Sequence, residues 1–185
     1  MSYREAFLGL ASLSAVAMLA GVSSAAAEWI YKKEEKAFGE TEAMAMAIGD
    51  ASVAFVTCNN DGLKISLATP EDWTDGASAM NLLAPKIIVS IDGAPPTRFD
   101  AELRENTLHK ILAEFDDEET VKRAAAMIAS ARKRIDIGLE LAGKRFHASK
   151  LSAVGATKKI QSVLDTCAQQ ASPDADNEKK TPDTN

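Results

Sequence analysis

Two cysteines are the residues of this chain best equipped for chemistry. Cys58 closes the apolar run "VAFVTC" just before the turn "NNDG", and Cys167 lies far downstream in "SVLDTCAQQ". Thiol redox catalysis calls for a resolving cysteine close by, usually in C-x-x-C, and this chain has none. A zinc site could draw its four ligands from Cys58, Cys167, His109 and His147, but those four lack the close pairwise spacings that hold zinc in recognisable sites. Two independently buried thiols are the plain structural alternative. The remaining option, a single Cys58–Cys167 disulfide, depends on the compartment in which the chain folds.

The amino-terminal residues indicate that compartment. "MSYREA" carries Arg4, "FLGLASLSAVAMLAGV" is apolar, and "SSAAAE" supplies small residues with Ala25 and Ala27 at the positions a signal peptidase reads. Residues 1–27 are therefore predicted to be a cleaved signal peptide, with Glu28 as the new amino terminus; cleavage after Ala26 reads nearly as well. The apolar run is short for a bilayer-spanning helix, and no cysteine follows it to carry a lipid. The mature chain is expected in the periplasm or outside the cell, without stable membrane insertion. In that oxidising setting the disulfide becomes the favoured reading of Cys58 and Cys167. The chain-entropy relation gives about 4 to 5 kcal/mol for closing so long a loop, an amount that native strain or residual unfolded structure reduces.

Other chemistry finds little support. There is no G-x-S-x-G, and no serine is placed beside a base. "NNDG" lacks the spaced carboxylates and distal glutamate of a calcium loop and is better explained as a hairpin turn. No cofactor motif is present. A formal net charge of −6 hardly changes when the signal is removed, and it argues against general binding to nucleic acid or anionic lipid.

The elements that would position these residues follow from periodicity. Residues 28–170 read as one α+β domain: a mostly antiparallel, twisted sheet or small sandwich of about seven or eight strands, with two helices packed on it. A first strand runs through Trp29 and Tyr31. Met44, Met46 and Ile48 alternate with alanines in a second. Val53 to Cys58, apolar on both faces and so expected to be central, pairs across "NNDG" with Leu63, Ile65 and Leu67. "KIIVSIDG" and "TRFDAELRE" follow, the latter as one strand with Phe99, Ala101 and Leu103 inward. Residues 108–115 fit either strand or helix, with a lean to strand. "DDEETVKRAAAMIASARKR" predicts a helix capped by Asp116 with Glu119, its RKR cluster complementing the macrodipole. "RIDIGLEL" and "RFHASKL" form a second hairpin. A last helix aligns Ala156, Ile160, Val163, Leu164 and Cys167, with Ser152 as its predicted cap. The closing "ASPDADNEKKTPDTN", residues 171–185, is expected to be a disordered polar tail.

The segment 69–85, "TPEDWTDGASAMNLLAP", follows no period and is long for a connection. Its Trp73, Met80, Leu82 and Leu83 form a candidate contact loop, against the simpler expectation that Trp73 packs onto the sheet.

Taken in order, an early Trp29, a strand ending in Cys58, "IVSIDG" before an alternating strand, "ETVKRAAAMIASARKRIDIGLEL" and "KRFHASKLSAVGATKKIQSVLDTC" resemble small exported proteins of Gram-negative bacteria. The pattern is similar to the type VI secretion-associated periplasmic proteins and, more distantly, to the invasion-associated locus B proteins. In those a strand cysteine and a terminal-helix cysteine recur, and Phe146 and Cys167 match the step into the final helix. The resemblance implies a periplasmic accessory role, with no catalytic residues to assign. The reading favoured from the sequence is a non-enzymatic accessory or binding protein, envelope- or secretion-associated, with a protein partner in the cell envelope. A small-ligand or lipid carrier and an enzyme with an unrecognised site are the alternatives.

Overall fold

Period-two alternation builds ten strands in two antiparallel sheets, in a computed structural model that describes residues 28–36 and 40–170. The predicted signal peptide and polar tail lie outside the described residues. The chain runs β1 (Ile30–Glu35), β2 (Thr41–Ile48), β3 (Val53–Asn59), β4 (Gly62–Asp72), a 3-10 helix (Ala77–Leu83), β5 (Lys86–Ile91), β6 (Thr97–Asp100), β7 (Glu102–Glu105), β8 (Lys110–Phe115), α1 (Glu118–Ala129), β9 (Arg134–Leu141), β10 (Lys144–Ser152) and α2 (Ala156–Gln170). One sheet has the order β1-β2-β3-β4-β8-β7 and the other β10-β9-β5-β6. The α+β class and antiparallel pairing agree with the sequence reading; the strand count is higher than the seven or eight expected.

Part of the difference lies in "TRFDAELRE". It is two strands, not one: β6 pairs with β5 in the four-stranded sheet, and β7 pairs with β8 in the six-stranded sheet. The chain changes sheet at Ala101, whose N–H donates to Pro85 O at 3.0 Å. Alternation carries through the corner, so Phe99 and Leu103 are both buried although they serve different sheets. Phe99 stacks on Phe115 of β8 with ring centroids 5.2 Å apart, joining the sheets through their inner faces.

The β3–β4 hairpin is as expected, and β3 lies between two partners. β4 continues past Leu67 to Asp72 with a register shift after Ala68, so the supposed loop begins as strand over residues 69–72 and carries the 3-10 helix over Ala77–Leu83. In β2 the inward residues are the alanines. Ala43, Ala45 and Ala47 are buried, whereas Met44 and Met46 are half-exposed and Ile48 is 50% exposed. Small side chains on that face let α2 approach the sheet with Ala156, Ile160 and Val163. Residues 110–115 are strand, with Ile111, Ala113 and Phe115 buried.

Three local assignments differ from expectation. The cap of α1 is Asp117, whose carboxylate accepts from Thr120 N at 2.9 Å, not Asp116. α1 ends at Ala129, so Arg132, Lys133 and Arg134 lie beyond it and do not complement its dipole. Ser152 ends β10 and accepts from Val154 N through its hydroxyl at 3.0 Å, rather than capping α2.

The sheets also meet at a polar seam. Ser149 Oγ accepts from Ser52 Oγ at 2.8 Å and from Ala51 N at 2.9 Å, with both serines buried. A Cβ on Gly49 would sit 2.4 Å from that of Ser149, so only glycine lets the β2–β3 turn come this close to β10.

Candidate functional site

The disulfide is present. Cys58 and Cys167 are bonded with Cα atoms 5.6 Å apart, across 109 residues of sequence. Cys58 is buried on β3, and Cys167 is half-buried on the inner face of α2. Because both sulfurs are committed to each other, the zinc set drawn from Cys58, Cys167, His109 and His147 is not assembled. His109 lies in the turn before β8, with Nδ1 2.5 Å from Glu105 Oε1; His147 lies in β10, its Nε2 3.9 Å from Glu71 Oε1. Among the described residues no three His, Cys, Asp or Glu side chains form a metal-binding group. An open cleft of about 700 Å³ adjoins the disulfide, lined by Asn59, Gly62, Asp116, Glu118, Lys122 and Cys167 among others. Glu118 is paired with Lys122 at 2.5 Å, and no nucleophile stands beside a base there.

The four residues of the candidate contact loop divide into two pairs. Trp73 and Met80 are half-buried and pack against the core, while Leu82 is 89% exposed and Leu83 46%. The 3-10 helix that carries Met80, Leu82 and Leu83 is held at both ends and in the middle. Buried Ala77 roots it and donates to Thr74 O at 2.8 Å; Leu83 O accepts from Ala142 N at 3.2 Å. Between them, Asn81 grips Leu103 twice: its Oδ1 accepts from Leu103 N at 2.7 Å, and its Nδ2 donates to Leu103 O at 3.1 Å. Leu82 is thus a large apolar side chain in water on a fixed turn. Sequence reasoning missed Asn81, whose only signal was a lone amide within "MNLL".

Asp92 is a second residue that the sequence did not mark. It sits at φ 53°, and its carboxylate accepts from the successive N–H groups of Arg132 (3.0 Å), Lys133 (2.8 Å) and Arg134 (2.8 Å). The basic run accordingly serves as a backbone nest that fastens the end of β5 to the α1–β9 link. Those N–H groups, that of Arg134 foremost, hold the Asp92 carboxyl below its ordinary range. A carboxylate with a lowered folded-state pKa contributes stability that is present above the unfolded value, about 3.9, and is lost as pH falls through the folded value. Asp92→Asn should therefore melt lower than the parent at pH 7, because one of its polar atoms becomes a donor facing the Arg132 N–H. The gap should narrow as the parent carboxylate protonates. Thermal melts at pH 7 and in acid check this; a gap that does not change with pH would refute the assignment.

No protein-family model matches the chain, and no curated protein matches it either. Among solved structures the chain is similar to the crystal structure of invasion associated protein B from Bartonella henselae, at 10% identity and a TM-score of 0.48, over 75% of this chain and 94% of that one. The resemblance to type VI secretion-associated proteins rests on the residue pattern alone. Among the described residues, no helix is long and apolar enough to cross a membrane.

Proposed function

We propose that this chain is a non-enzymatic accessory or binding protein of the cell envelope, periplasmic or secreted, that meets a protein partner through the Ala77–Leu83 turn. The single observation carrying this reading is Leu82, 89% exposed on a turn that Asn81 clamps to β7. A turn whose backbone is already fixed loses little backbone freedom on docking, so only the rotamers of Leu82 remain to be ordered against a partner. The signal-like amino terminus and the disulfide support the envelope, and the acidic balance speaks against nucleic acid. The lipid-carrier alternative has less support, because the apolar faces it would need to line a cavity are packed in one core that includes α1 and α2.

Leu82→Ser tests the reading more cleanly than any change at Trp73, which also packs against the core. It should alter folding stability by about 0.5 kcal/mol or less. A photo-crosslinker at position 82 in the source cell should trap one partner, and purified Leu82→Ser should bind that partner roughly tenfold or more weakly. Crosslinks no more specific than those from an exposed site on α1 would refute it.

A further inference from the structure

Among the described residues, three of the four sheet edges are blocked, each by a different device. On β7, the N–H and C=O of Leu103 that face away from β8 are taken by Asn81. β6 has four residues and is preceded by Pro95 and Pro96. β10 carries a bulge between Phe146 and Ser149, after which Asp50 accepts from Lys150 N at 3.4 Å and Trp29 Nε1 donates to Ser152 O at 2.9 Å. Such devices prevent edges from pairing with other chains.

The fourth edge, β1, has none of them. Lys36 N donates to Glu40 O at 2.7 Å and continues the β1–β2 register, so Ile30, Lys32, Glu34 and Lys36 bond β2, while the backbone groups of Tyr31, Lys33 and Glu35 face outward. Among the described residues nothing bonds those outward groups, and β1 is exposed at every position but Tyr31. Charge is the usual protection of such an edge, and a run of one sign would repel a second copy. This edge reads Lys32-Lys33-Glu34-Glu35 instead. In an antiparallel two-fold pairing centred on Lys33, Lys32 of each copy lies opposite Glu34 of the other, and Tyr31 lies opposite Glu35. The two Lys33 side chains face each other, each with Glu35 of both copies at neighbouring or diagonal positions. The outward backbone groups fall into register in the same arrangement.

We infer that β1 is a self-complementary edge through which two copies of this chain pair, joining their six-stranded sheets into one. The Lys32–Glu34 and Lys33–Glu35 pairs now made within the strand would be exchanged for pairs across the two-fold axis.

The test uses protein recovered from the periplasmic extract of an expressing bacterium, its amino terminus read by mass spectrometry, in analytical ultracentrifugation over a concentration series. The parent should show a reversible monomer–dimer equilibrium. Lys33→Pro removes an N–H that β2 does not use, so it should give a folded monomer with an unchanged circular dichroism spectrum. Lys32→Glu places like charges opposite each other twice and should raise the dissociation constant roughly tenfold or more. Lys32→Glu with Glu34→Lys restores the opposition and should recover the dimer. A parent that stays monomeric at every concentration would overturn the inference, as would a dimer that survives Lys33→Pro or Lys32→Glu, or a double swap that fails to rescue. So would crosslinks from β1 to a different protein with the chain itself monomeric, which would assign the edge to a foreign strand.

Discussion

Replacing Cys58 and Cys167 together by alanine is expected to cost about 4 kcal/mol and lower the melting temperature by roughly 10 to 15 °C. The bond closes a loop across 109 residues of sequence, the larger part of the described residues, so its loss frees much of the unfolded chain. The native state should lose less. α2 stays seated by Ala156, Ile160 and Val163, which face the alanines of β2 and are all buried. Past Val163 the helix is held by the disulfide, by a Tyr31–Thr166 hydroxyl contact at 3.2 Å, and by Gln170 Nε2 donating to Thr41 O at 2.6 Å. Removing the strongest of these ties should raise hydrogen exchange in residues 164–170 and leave residues 156–163 protected. Equal melting temperatures for the alanine pair and the parent would refute the covalent account of stability.

Trp29→Ala should be about as damaging, at about 3 to 5 kcal/mol. Trp29 is 1% exposed and fills the core beside β10, where its indole N–H donates to Ser152 O. Its own backbone N–H donates to Val154 O at 3.3 Å, so one residue ties the approach to β1 to the approach to α2. Truncation leaves a void and an unpaired carbonyl. Trp29→Phe keeps most of the ring volume and should cost only about 1 to 3 kcal/mol, the penalty of an orphaned buried acceptor. Chemical denaturation of the three proteins measures both values. Fluorescence gives an independent check, because the chain has two tryptophans and Trp73 is the more exposed. Trp29→Phe should remove the blue-shifted emission and leave the red. Near-equal midpoints for parent and Trp29→Ala would show that this anchor contributes little.

The disulfide and Trp29 act at opposite ends of one structural problem. The six-stranded sheet has a core face lined in part by alanines, and small side chains bury little apolar area per residue. Close approach of α2 makes that face usable, and the disulfide and Trp29 hold α2 and the final strand in position. Neither tie is adjacent in sequence to what it holds.

Much of the local structure could be read from residue order, because its causes are local. The β3–β4 hairpin follows from "NNDG" between alternating arms, and β9 from Ile135, Ile137 and Leu139. α1 and α2 follow from apolar residues at helical spacing, and the pairing of Cys58 with Cys167 from an export-like amino terminus and an even cysteine count. Alternation could not show where a strand changes sheet. Phe99 and Leu103 stay inward through Ala101 whether the strand continues or turns a corner, and only the presence of two sheets chooses the corner. Nor could periodicity say which face of β2 is buried: its methionines are the more apolar residues, but room for α2 favours the alanines. The roles of Asn81 and Asp92 were hidden for the same reason. Each side chain bonds backbone groups about twenty or forty residues away, and residue type carries no record of which distant N–H will arrive beside it. Sequence alone thus determined the class, the hairpins and the two α-helices, each set by local pattern, and it favoured the sulfur bridge through an export-like amino terminus. Tertiary structure decided which faces are buried, which edges are closed, and that Leu82 rather than Trp73 stands in water, because those outcomes depend on what the rest of the chain brings alongside.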